Sequence, residues 1–142
     1  MAPVDEIPTH VRLGVSQSRL ILRGVFHRCP VCGTRGSIVK WMWIRDRCPT
    51  CDLGFQRIEG QQIGYIGLNT ILCFSLTFVV LLVGTIIMIP DIRSVPLLIA
   101  ALIPAGLGPL VFLPSCRLAW VGIDLIMRPL RPDEVDPRFA GR

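Results

Sequence analysis

Charge is what this 142-residue chain has least of: only 18% of its residues are Asp, Glu, Lys or Arg. Lysine occurs once, at Lys40, against fourteen arginines, and tyrosine once, at Tyr65. Aromatic residues make up 7%, so the 51% of hydrophobic residues is carried mainly by Leu, Ile and Val. A disordered chain is poor in these residues, so that class is excluded. The length allows one ordinary domain at most. No Ser-His-Asp set, no pair of carboxylates and no phosphate-cradling glycine loop stands out, so nothing points to catalysis. Residues 1–9 are polar, with Asp5 and Glu6, and no apolar core follows a basic start. A cleavable leader is therefore not expected, and the first apolar segment is expected to act as its own insertion signal.

The hydrophobic residues are not spread evenly. Residues 64–90 form a run of twenty-seven without a charge, and residues 95–116 a run of twenty-two. A hydrocarbon core about 30 Å thick is crossed by ~20 helical residues. Only helices and closed barrels satisfy their backbone groups in lipid, and the alternation of barrel strands is missing here. The pattern predicts an α-helical membrane protein with transmembrane helices over 64–90 and 95–116. The alternative is a buried soluble hairpin, for which the remaining residues offer no covering layers. Neither run contains an ionisable group in its middle, which argues against a proton or ion pathway. Asn69, Thr70, Ser75, Thr77 and Thr85 are the polar residues of the first run. They could line a helix contact or hydrogen-bond their own backbone.

The linker 91–94 is short, so the two helices form a tight antiparallel hairpin with both chain ends on one side. Arg45, Arg47 and Arg57 precede the hairpin, and Arg117, Arg128 and Arg131 follow it. The linker holds Arg93 alone, offset by Asp91. Arginine and lysine mark the cytoplasmic side, so both termini are expected there. The second run carries Pro104, Pro109 and Pro114, which predict a kinked helix with a break at Pro114. Residues 117–128, with Trp120 and flanking arginines, then read as a separate interfacial helix. Alternatively, the second crossing begins later and takes in this segment, placing Asp124 in the membrane. Residues 129–142, with three prolines, read as a loose tail. Within the N-terminal segment 1–27, residues 12–26 read as a short basic amphipathic helix on the inner leaflet.

Ahead of the first run lie Cys29-Pro30-Val31-Cys32-Gly33 and, with fifteen residues between Cys32 and Cys48, Cys48-Pro49-Thr50-Cys51-Asp52. C-x2-C-x15-C-x2-C is the spacing of a four-thiolate zinc site. Zinc binds four sulfurs tetrahedrally and leaves no open position for a catalytic water, so a structural, non-enzymatic role is expected for Cys29, Cys32, Cys48 and Cys51. The residue after each second cysteine is expected at positive φ, which Gly33 suits and Asp52 tolerates. Residues 37–44 have strand composition, which predicts a small zinc ribbon over 28–60. So short a segment buries little core of its own, and the metal supplies the missing stability. A redox pair is the competing reading of each C-x-x-C, and a transferable metal such as copper is another. His27 precedes the first pair and is expected beside the site or on the surface. Cys73 and Cys116 are expected to be small buried residues.

The chain resembles the bacterial membrane family known as domain-of-unknown-function family 983. The resemblance runs through Arg23-Gly24, Arg28 with the CPVCG turn, the Cys48 and Cys51 pair, and Leu53-Gly54-Phe55. It continues through both apolar runs to Leu113-Pro114 and Arg117, covering roughly residues 19–128. The family usually has Gly where Asp52 stands, and an acidic patch where Glu59-Gly60-Gln61-Gln62 stands. It has no established activity, and its genes sometimes lie among those of haem-copper oxidases and their assembly factors. The resemblance thus implies an accessory subunit or assembly factor of a respiratory oxidase.

The expected function is a non-catalytic membrane protein whose ribbon docks on another membrane protein or complex. Trp41, Trp43 and Phe55 would supply contact surface or, alternatively, form the ribbon's own small core. A thiol-based metallochaperone or redox factor is a second reading. A membrane-tethered nucleic-acid module is a third, weakened by the balance of residues 1–63, where nine basic against five acidic residues leave only +4.

Overall fold

A computed structural model describes residues 7–40, 42–91 and 93–139. Trp41 lies outside the described residues. The chain opens with two short helices, α1 (Thr9–Arg12) and α2 (Gln17–Val25). The Ser16 hydroxyl starts α2 by accepting from the Arg19 amide at 3.4 Å, which satisfies one of its free N–H groups. The two cysteine turns follow, with strands β1 (Ile38–Lys40) and β2 (Trp43–Ile44) between them. The strands pair antiparallel, with Ile38 opposite Ile44 and Lys40 opposite Trp43. Three helices come next: α3 (Gln61–Ile87), α4 (Ser94–Gly106) and α5 (Gly108–Met127). A 3-10 turn over Pro132–Glu134 follows α5.

Helix α3 has 27 residues, about 40 Å at the usual rise, and is apolar nearly all round. It buries only Gln61, Asn69 and Cys73, while Phe74 is 78% and Ile87 75% exposed. Helices α4 and α5 act as one run over Ser94–Met127, interrupted only at Leu107, whose backbone angles remain helical. Both α3 and this run are long and apolar enough to cross a membrane. Asn69 joins them, its side-chain amide donating to the Pro109 carbonyl at 2.9 Å. Thr70, Thr77 and Thr85 instead donate to carbonyls one turn earlier in their own helix.

The expected break at Pro114 does not occur. Helix α5 passes through it to Met127, so 117–128 is the second half of α5 and not a separate helix. The irregularity sits one proline earlier, where Pro109 has no N–H for the Ala105 carbonyl and its ring crowds that carbonyl. Pro114 is buried, and the residues after it are held on two sides: Ser115 by His27, just past α2, and Cys116 by Asn69 of α3.

Helix α2 also departs from expectation. Its Leu20 and Gly24 are buried against α5, and only its other face remains open. Gly24 lies against the backbone of Leu118 and Ala119, and a Cβ on Gly122 would stand 2.8 Å from the Leu20 carbonyl oxygen. Two glycines thus let the two backbones touch. The tail is not loose over its described part. Leu130 and Val135 are buried, and the Asp136 amide donates to the Cys51 carbonyl at 2.9 Å. Thr9 ties both ends together, donating to the Leu125 carbonyl at 2.7 Å and accepting from the Leu130 amide at 2.9 Å.

Candidate metal centre

The two cysteine turns are built alike. The Gly33 amide donates to the Cys29 carbonyl at 2.9 Å, and the Asp52 amide to the Cys48 carbonyl at 3.0 Å. The Cys29 amide donates to Thr34 at 3.0 Å, and the Cys48 amide to Leu53 at 2.9 Å. Gly33 and Asp52 take φ of 76° and 57°, as the residue types anticipate. Each turn is flanked by an isolated bridge at the same offset, Arg28 with Arg35 and Arg47 with Gly54. Arg23 supports the first turn, donating to the carbonyls of Pro30 and Val31 at 3.1 and 3.0 Å.

The matching turns face one another. The sulfurs of Cys29 and Cys51 are 3.6 Å apart, as are those of Cys32 and Cys48, and all four lie within 4.8 Å of one another. Four sulfurs around a tetrahedral zinc stand about 3.8 Å apart, since each bond is ~2.3 Å. A disulfide would need ~2.05 Å, and the four cysteines are free thiols. The donor set therefore fits one metal ion of tetrahedral preference. Cys29, Cys48 and Cys51 are buried and Cys32 half-buried, which shields the site from water. The hydrogen bond from Cys29 brings the Cys51 thiol down to about 5. Burial raises Cys48 to about 11, and Cys29 is raised by its bond to Cys51 and by burial. A bound cation overrides this split, because coordinated thiols are deprotonated.

The cluster sits in a small core that it shares with the helices. Val31, Leu53 and Phe55 from the head pack with Leu118, Val121 and Leu125 of α5 and with Leu130 and Val135 of the tail. Phe55 is thus a core residue, only 7% exposed, whereas Trp43 is 71% exposed. His27 stands outside the cluster, at φ 59°, with Nε2 2.8 Å from the Ser115 hydroxyl. Cys73 and Cys116 are buried between α3 and α5 and point their thiols at the Asn69 side-chain oxygen, at 3.8 and 3.7 Å.

One set of residues escaped sequence reasoning. Arg57, at the end of the head, pairs with Asp124 of α5 at 2.9 Å and with Glu134 of the tail at 2.7 Å. The signal was Asp124, a lone acid in an apolar stretch, which implies a partner without naming it. Compared with family models, with curated proteins and with solved structures, the chain matches none.

Proposed function

We propose that the protein is a non-catalytic integral membrane protein. Helix α3 and the α4–α5 run form a hairpin across the bilayer. They hold a four-cysteine zinc ribbon at the cytoplasmic face, where it docks on another membrane protein or complex. One observation carries this reading: four sulfurs within 4.8 Å of one another lie in a core shared with the end of α5, the second half of a long apolar helical run. A tetrahedral all-sulfur set selects zinc or iron–sulfur chemistry over hard cations, and zinc requires no electron partner. Exposed apolar side chains along α3 and α4, among them Phe74, Ile87 and Leu102, suit lipid contact. Six arginines flank the hairpin's open end and one its linker, which supports cytoplasmic termini, and the resemblance to family 983 makes a bacterial inner membrane the one to expect. Trp43 offers an exposed anchor for a partner, as aromatic residues often do. The resemblance to family 983 makes a haem-copper oxidase, or its assembly machinery, the partner to look for first.

The half-buried Cys32 gives a second reading some support, a thiol-based metallochaperone whose ion leaves through that corner. Purification of the tagged full chain in mild detergent tests both. The docking reading expects a membrane complex to co-purify, with about one zinc per chain that survives dilution. A chain isolated alone, with free thiols and no metal, overturns it. A stable Cys29→Ser protein that has lost only oxidase activity favours the chaperone.

A further inference from the structure

We propose that the outer face of α2, together with the first cysteine turn, binds the headgroups of anionic phospholipids. The inference rests on the reading that α3 and the α4–α5 run cross the membrane. With Leu20 and Gly24 spent on α5, α2 turns Arg19, Leu22, Arg23 and Phe26 outward to line a shallow pocket with Arg28 and Arg35. Arg19, Arg28 and Arg35 are exposed, and among the described residues none of these arginines pairs with a carboxylate. Arg23 is already engaged by the carbonyls of Pro30 and Val31, which leaves Arg19, Arg28 and Arg35 to meet a ligand.

The neighbouring pocket shares Phe26 and Arg35 with the first and continues onto Val111 and Pro114 of α5. A cationic pocket therefore opens directly onto the apolar flank of a long helix. Helix α2 runs antiparallel to α5: Leu20 lies at Gly122, Gly24 at Leu118, and His27 at Ser115. Its C-terminal end is thus the end nearest the lipid, and there Phe26 is 69% exposed beside Leu22 at 51%. Val111 continues the apolar surface one turn deeper, 46% exposed. Charge beside apolar surface at the end of a span is the complement of a phosphate joined to acyl chains. Guanidinium groups bind such phosphates through two parallel hydrogen bonds. A nucleic acid would use the arginines but leave Phe26 and Val111 in water.

The test uses the full chain in nanodiscs holding equal amounts of phosphatidylglycerol and phosphatidylcholine, with retained lipids counted by native mass spectrometry. We expect about tenfold enrichment of phosphatidylglycerol, falling as salt is raised. Arg19→Gln/Arg28→Gln/Arg35→Gln is expected to bring retention to parity, while Arg45→Gln/Arg47→Gln leaves it unchanged. Equal retention of the two lipids by the unaltered chain overturns the proposal. So does full enrichment in the triple variant, or an oligonucleotide bound with no lipid preference. Should the triple variant lose its fold, Arg19→Gln with Phe26→Ser, one on the outer face of α2 and one just past its C-terminal end, replaces it with the same expected loss. Alkaline carbonate extraction tests the membrane reading separately: a chain that stays in the membrane pellet without enrichment sinks the lipid site alone.

Discussion

Arg57 and Asp124 meet at 2.9 Å across sixty-seven residues of sequence, with side chains only 7% and 6% exposed. The same guanidinium donates to Glu134 at 2.7 Å and to the Pro129 carbonyl at 3.4 Å. Arginine has five donors in a fixed plane, and here they fasten the head, α5 and the tail at one point. Lysine could not reproduce the contact, since its ammonium is a point charge.

Removing Arg57 leaves the Asp124 charge buried without its partner. Arg57→Met is expected to cost about 3–5 kcal/mol. Arg57→Met combined with Asp124→Leu should recover much of that loss, because the one carboxylate then left without its arginine, Glu134, is 26% exposed and reaches water. Thermal unfolding of the full chain in detergent reads both. A single variant as stable as the parent would mean that water reaches the pair.

Metal removal is expected to undo the head while leaving the helices. Cys29→Ser or Cys51→Ser should abolish the bound metal and expose residues 28–60 to protease, whereas Cys73→Ala and Cys116→Ala should keep about one metal per chain. Binding displaces thiol protons, so occupancy should fall as the pH falls and not as it rises. Elemental analysis after dialysis across a pH series checks the direction.

The crossing of α2 on α5 should tolerate no added side chain. Gly24→Leu or Gly122→Val forces the backbones apart, at a cost of about 1–3 kcal/mol or more. Gly67, on α3, has open space where its Cβ would be, so Gly67→Ala should be neutral or stabilise by up to ~1 kcal/mol. Unfolding midpoints of the three variants side by side decide this, and a harmless Gly24→Leu would refute the close packing.

Asn69→Leu should loosen α3 from α5 by about 0.5–2 kcal/mol, because it removes their shared hydrogen bond. Thr70→Val should change little, since that hydroxyl is bonded within its own helix. Hairpin dissociation in a denaturing detergent titration measures the difference.

Orientation is checked by thiol labelling of intact cells. Ser94→Cys, at the start of α4 beside the hairpin's short connection, should react with an impermeant reagent from outside, and Arg45→Cys should react only after lysis. The reverse pattern would put the cysteine site on the oxidising side.

The cysteine turns were legible because everything that shapes them is local. Two residues separate each cysteine pair, and Gly33 and Asp52 announce the positive φ by residue type. The apolar helices were legible because absence of charge over twenty residues is itself a long signal. The end of the second was misread because a proline rule is local, whereas α5 is held at Pro114 by helices far away in sequence. The tail was misread for the same reason. Its prolines describe a loop, but Leu130, Glu134 and Val135 find partners in the head and at the end of α5. Phe55 could be read as surface or core, and only the position of Leu118 and Val121 beneath the head makes it core. No periodicity links Arg57 to Asp124, so nothing short of the fold could join them.

The hydrogen bond from Asp136 back to Cys51 also sets an order of events. A ribosome delivers both cysteine turns before either apolar helix, so the four sulfurs could take up a metal ion while the chain is still growing. Asp136 emerges only after both helices have been released. The last seal on the head is therefore a post-synthetic step, and a chain stalled before it would hold its four sulfurs in an unfinished cap.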